Sequence, residues 1–133
     1  MSTEVEQAAA IRALLAAPLG TPASDPGRGV FDYDDAPATL PKLYARVTVS
    51  KRAGAPVYMS GGKAMRGYRL TTLAVGTTVD EARWVRDKIA ATIEDRPVVI
   101  AGRETTRLRM ETEQPIEPDD GRYSGLTTWT YAL

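Results

Sequence analysis

The chain has 133 residues, 43% hydrophobic and 26% charged, the proportions of an ordinary folded domain. Its 17 basic residues balance 17 acidic ones, so no net field advertises a nucleic-acid or membrane partner. Cysteine and histidine are both absent, which excludes disulfide frameworks, thiolate metal sites and Ser-His-Asp or Cys-His catalysis.

Residues 8–17 are apolar, but Glu4 and Glu6 precede them where a secretory signal carries positive charge. The run is also too short to cross a bilayer. The expectation is a protein made and used in the cytoplasm, with no membrane partner. Thr3 and Glu6 form a capping box that opens a helix over Glu4–Ala17. Its seam is predicted to be Val5, Ala8, Ile11 and Leu15, with Pro18 and Gly20 ending it. Residues 18–29 are too rich in proline and glycine for regular structure. Val30–Tyr33 reads as a short strand closed by Asp34, Asp35 and Pro37.

Leu43, Ala45, Val47 and Val49 alternate with polar neighbours, the period of a half-buried strand. The segment 51–66 carries Gly54, Pro56, Gly61 and Gly62, and reads as either a long loop or an extended hairpin arm. Arg66–Val75 returns as a strand with apolar residues on both faces, which suits the middle of a sheet. Thr78 and Glu81 form a second capping box. They open the clearest helix of the chain, striped by Val79, Ala82, Val85, Ile89 and Ile93 and stopped by Pro97.

Val98–Ala101 and Thr105–Glu113 flank Gly102-Arg103 as a predicted hairpin. On its second arm Arg107, Arg109, Glu111 and Glu113 alternate with Thr106, Leu108, Met110 and Thr112, giving a charged ladder that faces water or a neighbour. Pro115 and Pro118 break the strand, Asp119-Asp120-Gly121 turns the chain, and Leu126–Leu133 is the final strand. Together these elements predict one α+β domain over residues 1–133, a mainly antiparallel sheet with two α-helices packed on one face.

Searches for chemistry return little. Gly61-Gly62-Lys63 fails as a phosphate loop because Val57 and Ala64 stand where glycine and Ser/Thr are needed. Asp32, Asp34 and Asp35 lack calcium-loop spacing and read as turn chemistry. No stretch positions the carboxylate pair of a glycoside hydrolase. Arg46, Lys51, Arg52, Lys63, Arg66 and Arg69 are dense in basic charge, which fits a solvated loop or contact with an anionic neighbour or passing DNA. No catalytic residue, metal or cofactor is assigned.

Three segments carry a family resemblance: Gly67-Tyr68-Arg69-Leu70-Thr71-Thr72-Leu73-Ala74-Val75, the helix opening Thr78-Val79-Asp80-Glu81-Ala82 with Val85-Arg86, and the ending Arg122-Tyr123-Ser124-Gly125-Leu126-Thr127-Thr128-Trp129-Thr130-Tyr131. In this order they resemble the tail terminator (tail completion) proteins of long-tailed, non-contractile phages, particularly of actinobacterial hosts. The resemblance spans roughly residues 40–133. It implies a non-enzymatic virion subunit at the head-proximal end of the tail, assembled in the host cytoplasm. The subunit would form a homo-oligomeric ring, a hexamer in that family, that caps the tail tube and stops its polymerisation. The ring meets tail tube protein on one side and a head-completion or connector protein on the other, and genomic DNA passes through its lumen without sequence-specific binding. The alternatives are a head-completion or connector ring and a small ligand-binding domain of a cellular operon. Ring closure needs two different patches that meet head to tail. The candidate residues are Lys51, Arg52, Lys63 and Arg66 in the arm, Arg107, Arg109, Glu111 and Glu113 in the ladder, and Asp119, Asp120, Arg122 and Tyr123 in the loop from Glu117.

Overall fold

The protein is described here by a computed structural model covering residues 3–20, 27–32, 40–52, 58–60 and 63–133. Helix α1 spans Glu4–Leu19 and helix α2 spans Val79–Ile93. The principal strands are β1 (Arg28–Asp32), β2 (Leu43–Lys51), β5 (Gly67–Gly76) and β10 (Arg122–Ala132), which lie side by side in that order. Strands β8 (Arg109–Glu113) and β9 (Glu117–Asp119) share the outer edge of β10. The β1–β2 pair is parallel and every other pair is antiparallel among the described residues. The fold is α+β, as the element order predicts.

Two small ribbons complete it. Strands β3 (Tyr58–Ser60) and β4 (Lys63–Met65) pair with each other beyond the β2–β5 hairpin. Residues 53–57 and 61–62 of the 51–66 segment lie outside the described set. Strands β6 (Val99–Ile100) and β7 (Arg103–Glu104) form a second ribbon of two pairs.

Strand alternation decides where the core lies. Tyr68, Leu70 and Ala74 of β5, with Ala45, Val47 and Val49 of β2 and Trp129 and Tyr131 of β10, are buried beneath the two helices. Helix α2 contributes Ala82, Val85, Ile89 and Ile93, four of the five predicted stripe positions; Val79 is half-buried at the helix start. The Thr78 hydroxyl accepts from the Glu81 backbone N–H and caps the helix as expected. The exit differs from expectation. Glu94 leaves the helical conformation and Asp95 takes a positive φ of 54°, so the chain has turned before Pro97.

Helix α1 is longer than predicted and rotated. Pro18 lies inside its last turn, where it forfeits only its own backbone bond, and burial of Leu19 keeps that turn helical. Val5, expected in the seam, is 75% exposed. The buried line is instead Gln7, Ile11, Leu15 and Leu19, with Ala8 beside it. A polar residue takes the place of an apolar one because the Tyr131 hydroxyl donates to Gln7 Oε1 at 2.5 Å inside the core. Burial also raises the pKa of the Tyr131 phenol, so it remains a donor at any ordinary pH.

The predicted 98–113 hairpin is also corrected. Only Val99–Ile100 and Arg103–Glu104 pair. Residues 105–108 then fold beneath the end of α2, where the Asp95 N–H donates to the Leu108 carbonyl and the Leu108 N–H donates to the Arg96 carbonyl. Leu108 is fully buried there, and its burial draws the chain off the hairpin. The last strand starts earlier than predicted, at Arg122, because β9 offers it a partner; Pro118 is tolerated within β9 as an edge-strand residue.

Two stability outcomes follow. A Cβ at Gly76 would sit 2.6 Å from the Ala82 backbone nitrogen, so Gly76→Ala should lower unfolding free energy by about 1–3 kcal/mol in urea titrations. Tyr131→Phe removes the buried hydroxyl from Gln7 and should cost about 1–3 kcal/mol in the same assay, with an unchanged helical signal; no loss would mean that the bond contributes nothing net.

Candidate functional site

Several of the sequence-selected residues lie toward the two ends of the sheet. At the end where β2 leaves and β10 finishes lies an open cavity of about 430 Å³. It is lined by Arg52, Arg107 and Arg109 together with Met65, Thr106 and the Thr130–Ala132 end of β10. Arg52 is anchored by its backbone N–H on the Gly67 carbonyl, just past the end of β2. Lys51 and Arg66 are exposed nearby in the chain, and Arg66 exchanges two backbone bonds with Leu133. Lys63 falls on β4.

The charged ladder is divided by a bulge. Thr128 pairs with Thr112 but Trp129 pairs with Met110, which leaves Glu111 as the extra residue. Glu111 then grips Arg69 of β5 through two bonds, of 2.8 and 2.9 Å, on the sheet face away from the helices. Glu113 instead lies 3.3 Å from Arg86 of α2 on the helical side, and Arg86 also donates to the Gln114 carbonyl at 2.8 Å. Gly125 makes this crossing possible: a Cβ there would sit 3.1 Å from the Arg86 guanidinium and 2.9 Å from Ile116. Arg107 donates to the Asp95 carbonyl, and Arg109 lies 3.6 Å from the Asp95 carboxylate; all three residues are exposed. The ladder's two acids are therefore engaged within the chain, and its two arginines line the cavity.

At the opposite end, β9 and β10 are joined by Asp120-Gly121, both with positive φ (50° and 81°), as a tight mirror-image hairpin turn requires. Glu117, Asp119 and Asp120 are exposed on this tip. The Ser124 hydroxyl donates to Asp119 Oδ2 at 3.1 Å. Arg122 points back into the body of the protein, donating to the Pro41 and Lys42 carbonyls at 2.7 and 3.1 Å. It also packs against the Tyr44 ring, which Arg46 approaches as well. A smaller cavity of about 230 Å³ lies here, between Tyr44, Arg46, Asp119, Asp120 and Arg122. Tyr123 is half-buried and pairs with Pro118.

Sequence reading missed the roles of Arg86 and Asp95. No linear signal marks them, because each meets its partners only after α2 and the 105–108 segment pack. Among the described residues no group of three acidic side chains is placed to hold a metal, and Asp34 and Asp35 lie outside that set. No helix is long and apolar enough to cross a membrane among the described residues.

The Arg69 hydrogen bond, more than the ion-pair attraction, holds the Glu111 pKa below the usual carboxylate value. An acid with a depressed folded-state pKa adds stability above its unfolded pKa of about 4.3, and that stability disappears as pH falls through the folded value. Glu111→Gln should thus be less stable than the parent chain near neutrality and indistinguishable from it in strong acid. The pair is solvent-accessible, so the difference should be small and should shrink in salt, as thermal melting across pH and salt would read.

No family model and no curated protein matches this sequence. Solved structures do share its fold. One is a chain of the virion of a native gene transfer agent particle, with TM-score 0.66 and 15% identity over 98% of this chain and 98% of its own. A second solved protein superposes with TM-score 0.66 and 16% identity, covering 99% of this chain and 96% of its own.

Proposed function

We propose that this chain is a structural virion protein, the tail terminator of a long-tailed, non-contractile phage or phage-like particle. It forms a ring, a hexamer by the family resemblance, on the finished tail tube, stops further polymerisation and offers the surface to which the DNA-filled head attaches. The observation that carries this reading is the end-to-end match with a chain of a gene transfer agent virion, which leaves almost no residue of either chain unaccounted for. The three segments that resemble tail terminators support it. They fold as β5, the start of α2 and β10, so that the resemblance follows one packed unit. The assigned role has no chemical step, in keeping with a sequence that holds no histidine or cysteine.

The candidate interface residues take structural roles in this reading. The arginine-lined cavity lies at one end of the sheet and the acidic turn at the other, as a ring of identical subunits joined by unlike patches needs. Tail tube protein, the head-completion protein and the DNA in transit are the partners this role implies.

Purified protein should assemble into rings visible by negative-stain electron microscopy, alone or on tail-tube ends. Deleting the gene should give over-long tails without heads. Normal-length tails left unattached would instead favour a head-side connector, and a chain that stays monomeric and ignores tube ends would overturn the ring.

A further inference from the structure

We infer that the acidic β9–β10 turn of one copy of this chain docks into the arginine-lined cavity of the next, and that this contact closes the ring. The inference rests on the terminator reading and adds to it the residues that join the subunits. Strand β10 runs from one patch to the other: Arg122 follows the acidic turn, and Thr130–Ala132 wall the cavity. At about 3.3 Å per residue, the patches lie roughly 30 Å apart on one stiff strand. They therefore meet only between copies, in the head-to-tail geometry from which rings are built.

The charges suit one another. Local acids leave donor capacity on the cavity's guanidiniums. Glu111 is committed to Arg69 by two short bonds, and Asp95 reaches Arg109 at 3.6 Å while giving Arg107 only its carbonyl. Arg52 lies close enough to Glu111 to help lower its pKa, and its backbone N–H donates to the Gly67 carbonyl. On the turn, Glu117, Asp119 and Asp120 are exposed. Asp119 accepts from Ser124, and the nearest arginine in sequence, Arg122, is spent on the carbonyls of Pro41 and Lys42. The turn is also short and left-handed at both of its residues, so little conformational freedom is lost on docking. Planar guanidiniums in an open cavity suit carboxylates, which they bind through paired hydrogen bonds.

Charge reversal tests the contact. Arg107→Glu with Arg109→Glu makes the cavity acidic; Glu117→Lys with Asp119→Lys makes the turn basic and leaves the positive-φ residue Asp120 untouched. Each pair alone should abolish rings in electron micrographs and shift the mass by light scattering to monomer, with melting temperature near that of the parent. Mixing the two variants, or placing all four changes in one chain, should restore rings, because every cavity again faces a turn of opposite charge. Rings that persist through both single reversals, or that fail to return in the mixture and the combined chain, would overturn the docking while leaving the terminator reading in place. A parent chain that is monomeric both alone and with tube ends would remove both.

Discussion

Residues Gly67–Gly76 and Tyr123–Ala132 face each other one for one along ten pairs, without a bulge. Slipping β10 by a single residue against β5 would exchange the two faces of β10. It would take Trp129 and Tyr131 out from under the helices and bury Thr128 and Thr130 in their place. Everything else is referred to this pair. Strand β2 extends it on one side in the same alternation, α2 lies on its buried face, and the two short strands β8 and β9 divide its free edge.

Polar groups within the core reinforce the register. The Trp129 indole donates to the Thr72 hydroxyl at 3.0 Å, joining the two strands from inside, and the Tyr131 hydroxyl reaches Gln7 on α1. Such groups are costly when left unmade, so they select one arrangement among several that would bury similar apolar area. The same logic explains the rotation of α1. A helix of alanine and leucine has several acceptable buried faces, and the partner waiting on β10 chooses the one that carries Gln7.

The sheet's outer edge serves a different purpose. Its strands are short, charged and interrupted by the bulge at Thr128/Trp129, devices that discourage indiscriminate strand pairing. They leave arginines at one end and carboxylates at the other, held by a strand too stiff to bring them together. A subunit of that kind carries exposed charge of opposite sign at its two ends, a distribution that favours head-to-tail contact between copies.

Sequence alone was sufficient for the fold class, for both helix starts and for the central place of Arg66–Val75, because capping boxes and hydrophobic periods are local properties of the chain. It also singled out the residues of the two charged ends. It did not reveal that Thr105–Glu113 divides, that Val5 is exposed, or that Glu111 and Glu113 turn to opposite faces. Those outcomes depend on Leu108 finding a pocket beneath α2, on Tyr131 finding Gln7 across 124 positions of sequence, and on a bulge created by the partner strand. Local pattern determined which segments are helix and strand. Tertiary packing decided which side of each segment is buried and which charges remain for a neighbour, because burial and pairing belong to residues distant in sequence.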